Sequence, residues 1–195
     1  MIAVSLSDGP APMIRTTLIP AAFAALLALP ALAVGPDDDP PTPTETTTTC
    51  PEGTVWDGDT QGCVAIEESS SLSDPDALIS TVRELAYAGR HADALALLAR
   101  APDPSDTMVL TYLGYSTRSL GDMDSGLAYY DRALAADPDN LLARAYLGMA
   151  RLLLGETERA AVQLAEIRAR GGAGRWPERA LAAAIAQGST TGYDY

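Results

Sequence analysis

The amino-acid sequence predicts an all-α array in which helix pairs stack side by side into a solenoid, and three features of its second half lead there. The first is internal repetition: Tyr112-Leu113-Gly114-Tyr115 returns 34 residues later as Tyr146-Leu147-Gly148-Met149, with Gly121 returning as Gly155 and Gly126 as Ala160. A fixed period of about 34 residues is the signature of a helix-turn-helix repeat. The second is periodicity: Leu110, Leu113, Thr117 and Leu120 recur at helical spacing, as do Leu127, Tyr130 and Leu134 after them. The third is punctuation, because Gly121-Asp122 and Gly155-Glu156 each stop one helix and open the next. A glycine inside a helix costs ~1 kcal/mol relative to alanine, so Gly114 and Gly126 are expected where two helices cross closely.

These residues resemble the tetratricopeptide (TPR) family. Leu113 and Gly114 match its Leu-Gly pair, Gly121 its turn glycine, Gly126 and Ala133 its small residues, Tyr130 its aromatic and Pro138 its closing proline. In the next unit Leu147, Gly148, Gly155, Ala160 and Leu164 match; Ile167 replaces the second small residue and the closing proline is missing. An upstream unit fits through Gly89, Ala94, Leu98 and Ala101, with Val82 in place of the crossing glycine. The resemblance covers roughly residues 75 to 173 and implies three helix pairs in a right-handed solenoid, which together with a C-terminal capping helix spans 76–188. It implies no chemistry, since the family is defined by packing positions.

Taken from the front, Met13-Ile-Arg begins a basic segment, Leu18 to Leu29 is apolar, and Ala31-Leu32-Ala33 closes it. These are the three parts of a secretory signal peptide over 1–33, with Met13 a possible start and cleavage after Ala33. Retention as an inner-membrane anchor is the alternative, although prolines interrupt a run shorter than the ~20 residues a spanning helix needs. Residues 34–49, rich in Asp, Pro and Thr, read as an acidic disordered spacer. The net charge of −13 is concentrated there: 34–76 holds 11 acidic residues and no arginine, and the chain has no lysine. With no basic stripe to meet phosphates, nucleic acid is a poor partner.

Cys50 and Cys63 are the two cysteines. Behind an export signal an even pair is expected to close on itself. The run from Cys50 to Asp57 reads as one short strand, Gly58-Asp59 as a turn and Gln61 to Val64 as the return, giving a hairpin over 50–64. It resembles a short Cys-x-x-Gly-x-Val-Trp-Asp module found beside other domains in exported bacterial proteins. Trp56 has two readings: it packs over the bridge as part of a staple, or it is exposed to stack on a sugar or a partner. Residues 65–75 read as a linker. At the other end Gly171 to Gly174 breaks the last unit, and Pro177 with Glu178 favours a capping helix over 177–187. Residues 189–195 read as a loose tail.

Little in the chain suggests catalysis. The single histidine, His91, lies in an interhelical turn, no nucleophile has a triad partner, and no phosphate loop or metal-binding string is present. The expectation is a non-enzymatic adaptor of the bacterial envelope, periplasmic or secreted, with no cofactor and no metal. By the family's geometry its groove is lined by Met108, Thr111, Tyr112, Tyr115, Arg118 and Ser119, then by Leu142, Ala145, Tyr146, Met149 and Leu153. The alternative for Tyr112 and Tyr146 is simple packing between units. The alternative function is glycan or cell-wall binding through the Cys50–Cys63 hairpin, with the repeats as a spacer.

Overall fold

The computed structural model describes residues 41–69 and 73–190, which lie in one compact unit, Val34–Tyr195; of the unit before it, Met1–Ala33, Met1 alone is described. The chain forms one helical turn, α1 (Glu45–Thr48), then a hairpin of β1 (Thr54–Asp57) and β2 (Gly62–Ala65). Among the described residues seven α-helices follow: α2 (Pro75–Tyr87), α3 (His91–Leu98), α4 (Thr107–Ser119), α5 (Met123–Ala136), α6 (Leu141–Leu153), α7 (Thr157–Ala169) and α8 (Trp176–Gln187). Consecutive helices pair as α2 with α3, α4 with α5 and α6 with α7. Because α2 also packs on α4 and α4 on α6, the first helices of the pairs form a layer of their own. The expected array of helix pairs is therefore present, and α8 closes its end by packing on both α6 and α7.

The helix boundaries have local causes. Asp74, Asp106, Asp122 and Asn140 sit at N-caps, and each side chain accepts a hydrogen bond from a first-turn amide. Gly121 and Gly155 take the left-handed conformation at φ +102° and +74°, which lets the chain reverse into the next helix. Close crossing then fixes the pairs. A Cβ on Gly114 would lie 2.6 Å from Cε1 of Tyr130 and 3.0 Å from the Gly126 carbonyl oxygen. One on Gly126 would lie 2.7 Å from Cβ of Arg118. At Gly148 the neighbour is different: Leu181 of α8 reaches to 2.5 Å.

The N-terminal part departs from the expected disordered spacer over 34–49. From Thr44 onward it is built onto α2. The backbone amide of Thr44 and the hydroxyl of Thr47 donate to Oε1 of Glu84 at 2.7 and 2.5 Å, and the Thr44 hydroxyl reaches Oε2 at 2.8 Å. Glu84 is buried, so these donors replace the water its carboxylate has lost. Arg90 works in the same way, donating to the carbonyls of Thr46, Cys50, Pro51 and Thr54 and to the Asp93 carboxylate. The polar, proline-broken sequence cannot fold alone, but it supplies hydroxyls and carbonyls to charges on the first helix pair. The 65–75 stretch is likewise more than a link: Ile66 is buried in the main core, and Arg100 donates to the carbonyls of Ile66 and Ser69.

Cys50 and Cys63 are bridged, and the strands pair antiparallel with Trp56 opposite Cys63. The bridged hairpin shares its core with the helices through Val55. The capping helix expected over 177–187 is α8, with Leu181 buried and Ile185 half-buried against the core. The leader expected over 1–33 lies outside the described residues, apart from Met1. So does the expected tail 189–195 beyond Thr190, which is buried.

Two outcomes follow from this packing. In urea unfolding, Gly126→Ala is expected to destabilise the protein by about 1–3 kcal/mol, since its new methyl meets fixed backbone and the root of Arg118. Gly148→Ala is expected to cost clearly less, because the end of Leu181 can turn aside; equal losses would refute the account. Replacing Cys50 and Cys63 together by serine is expected to cost about 3 kcal/mol. That loss should appear first as faster amide exchange in Thr54–Ala65, with α6 and α7 protected as before.

Candidate functional site

The inner layer formed by α2, α4 and α6 positions the residues the sequence singled out, and most of them are buried. Thr111 is fully buried; its hydroxyl donates to the Thr107 carbonyl at 2.6 Å and accepts from Nδ2 of Asn140 at 3.1 Å. Tyr112, Tyr115, Arg118, Leu142, Ala145, Tyr146 and Met149 are also buried. Only Met108, half-buried, and Ser119 and Leu153, both exposed, present themselves at the surface. The tyrosines of the expected groove face one another across the units. Tyr115 stacks on Tyr146 with ring centroids 4.8 Å apart, and Tyr112 meets Tyr146 edge-on at 6.4 Å. Tyr130 and Trp176 complete the surroundings of Tyr146, at 6.5 and 6.1 Å. Such pairs contribute about 0.5–1.5 kcal/mol each beyond the area they bury.

The Tyr146 hydroxyl meets that of Tyr87 at 3.4 Å. Burial, reinforced by the phenols of Tyr112 and Tyr87, raises the Tyr146 pKa well above 10.0. Arg118 binds this cluster to the outer helix: its guanidinium lies 4.9 Å from the centroid of the Tyr115 ring, and Nε donates to the Tyr130 hydroxyl at 3.0 Å. It is held in place by both contacts.

Two hollows open at opposite ends of the inner layer. Where α2, α4 and α6 stop, Tyr87, Gly89, His91, Tyr115, Arg118, Ser119 and Leu153 line a space of about 660 Å³. His91, expected as a plain turn residue, meets Tyr115 edge-on at 5.4 Å here. The second hollow, of about 670 Å³, lies where α2 and α4 begin, beside the loop that joins the first two pairs. Met108 belongs to it. Neither His91 nor Tyr87 was legible as a site residue, because a turn and a helix end give no periodic signal; what brings them to Tyr115 is the stacking of one unit on the next.

Trp56 is half-buried, and its backbone amide donates to the Thr46 hydroxyl at 3.1 Å. Among the described residues no three His, Cys, Asp or Glu side chains converge as a metal site, and no helix is long and apolar enough to cross a membrane. The fold and hollows thus define a bridged helical array with recesses at both ends of its inner layer. No family model, no curated protein and no solved structure matches the chain.

The buried Tyr146 phenol fixes a pH dependence. A pKa raised in the folded state means that stability is full below about pH 10 and falls as the unfolded phenol begins to ionise. Urea unfolding between about pH 8 and 11 is expected to show this decline, with a shallower slope in Tyr146→Phe. Identical slopes would show that this phenol does not contribute.

Proposed function

We propose that this is a TPR protein of the bacterial envelope, exported and non-enzymatic, which holds a segment of another protein against the inner layer of its helix pairs. The observation that carries the reading is the hollow at the ends of α2, α4 and α6. There aromatic rings from Tyr87 and Tyr115, the His91 imidazole, the Arg118 guanidinium and the exposed Leu153 converge from three units. Rings offer apolar area with little rotamer entropy to lose, and the polar groups among them fix the orientation of what is bound. The pairing of helices and the repeat of Leu-Gly at 34 residues support the family reading. The closed Cys50–Cys63 bridge supports an oxidising, periplasmic setting.

Photo-cross-linking residues placed at Ser119 and Leu153, compared with one at the exposed Asp131 on α5, test the proposal in whole envelope extract. Discrete adducts are expected from the first two positions and not from the third, and they should vanish when Leu153→Asp accompanies the Ser119 probe. Adducts of equal pattern from all three positions, or none from the hollow, would overturn it.

A further inference from the structure

The hollow at the beginning of the inner layer has a composition unlike the first. Its floor is apolar: Leu78 and Val109 are buried there, with Ile79 and Met108 half-buried around them. Its rim is anionic, with Asp76 on the first turn of α2 and Asp103 and Asp106 on the connecting loop, all three exposed. Hydrogen bonds from the Ser105 hydroxyl and amide hold the Asp103 carboxyl below its ordinary pKa, so it carries its charge at neutral pH. One cation, Arg83, shares the lining, and its guanidinium lies 5.7 Å from the Tyr87 ring centroid. Three carboxylates against one guanidinium leave the recess negative, while its floor favours aliphatic or thioether side chains. Residues 34–82 cannot supply the opposite charge, because they hold no arginine and no lysine occurs anywhere in the chain.

We infer that this recess is a second docking site, and that its occupant is an extended segment of a partner protein in which aliphatic residues are flanked by lysine or arginine. The aliphatic side chains enter between α2 and α4 against Leu78, Ile79, Met108 and Val109. The flanking cations meet Asp76 on one side and the Asp103–Asp106 loop on the other. Complementary charge steers the encounter and sets the register, while displacement of water from the apolar floor supplies the affinity. The site is separate from the hollow around Tyr115, so it stands or falls on its own.

The test uses the purified full chain and a fluorescein-labelled octapeptide, Gly-Ser-Lys-Leu-Leu-Lys-Ser-Gly, followed by fluorescence anisotropy. Asp76→Asn with Asp103→Asn, at exposed positions, is expected to weaken binding at least tenfold while the helical circular dichroism stays unchanged. Ile79→Ser is expected to weaken it as well. The same peptide with Glu for Lys, or with Ser for Leu, is expected to bind at least tenfold more weakly than the original. Leu153→Asp, at the other hollow, is expected to leave binding as in the unmodified chain. Equal binding by the double asparagine variant, or by the Ser-for-Leu peptide, would overturn the inference, as would absence of binding. Loss of binding in Leu153→Asp would also overturn it, assigning the peptide to the other hollow and leaving the function proposed above intact. Failure of the cross-linking at Ser119 and Leu153 has no bearing on this result.

Discussion

The approach of α4 to α5 at Gly114 and Gly126 is the constraint on which the rest of the helical array depends. With the Gly126 carbonyl oxygen only 3.0 Å from where a Gly114 side chain would begin, the two helices touch backbone to backbone. That closeness lays the Tyr130 ring over Gly114 and sets the Arg118 Nε against the Tyr130 hydroxyl. Arg118 in turn lies over Tyr115, Tyr115 stacks on Tyr146, and Tyr146 meets Trp176 of the closing helix. A contact between two glycines thus propagates through one cation and four rings to the closing helix. Interiors packed at this density transmit small displacements, so the spacing of one helix pair is felt by the next.

The opposite end is organised by charge. Glu84, Arg90 and Asp93 all belong to the first helix pair and all are withdrawn from water to a large extent. A buried charge without partners is strongly destabilising, and the segment Thr44–Thr54 provides those partners as hydroxyls, amides and carbonyls. The bridge between Cys50 and Cys63 keeps that segment short of conformations in the unfolded state, and Val55 and Ile66 seat it in the common core. The bridged hairpin therefore does for the first pair what α8 does for the last: it covers a face that no further repeat covers. Stacked repeats need both ends protected in this way.

Because the aromatic residues of the inner layer are used in holding the units together, its two recesses lie at the ends of the helices. One end collects His91, Ser119 and Leu153 around the edge of the tyrosine cluster; the other collects carboxylates around an aliphatic floor. The two recesses differ in chemistry for a topological reason. The first is made where helices stop and turn, the second where α2 and α4 begin, each behind an aspartate N-cap. Acidic residues gather at helix starts because they satisfy free amides and oppose the helix dipole favourably, and here that preference also gives the recess its sign.

The sequence by itself determined the helix pairs, their boundaries and the bridged hairpin, because each rests on local rules. Gly114, Gly121 and Gly155 mark a crossing and two turns wherever the fold places them, and the 34-residue offset repeats the rule. Asp106, Asp122 and Asn140 cap their helices through bonds to amides only two or three residues away. What only the tertiary structure decided was which side of each helix is covered. Tyr112 and Tyr146 are equally compatible with a groove and with a core, and the choice depends on the distance between neighbouring units and on Trp176, 30 residues beyond Tyr146. The folding of the Thr44–Thr48 turn was illegible for the same reason, since its partners, Glu84 and Arg90, lie about 40 residues further along the chain. Helix periodicity is written in neighbouring residues, whereas burial is settled by residues that become neighbours only after folding.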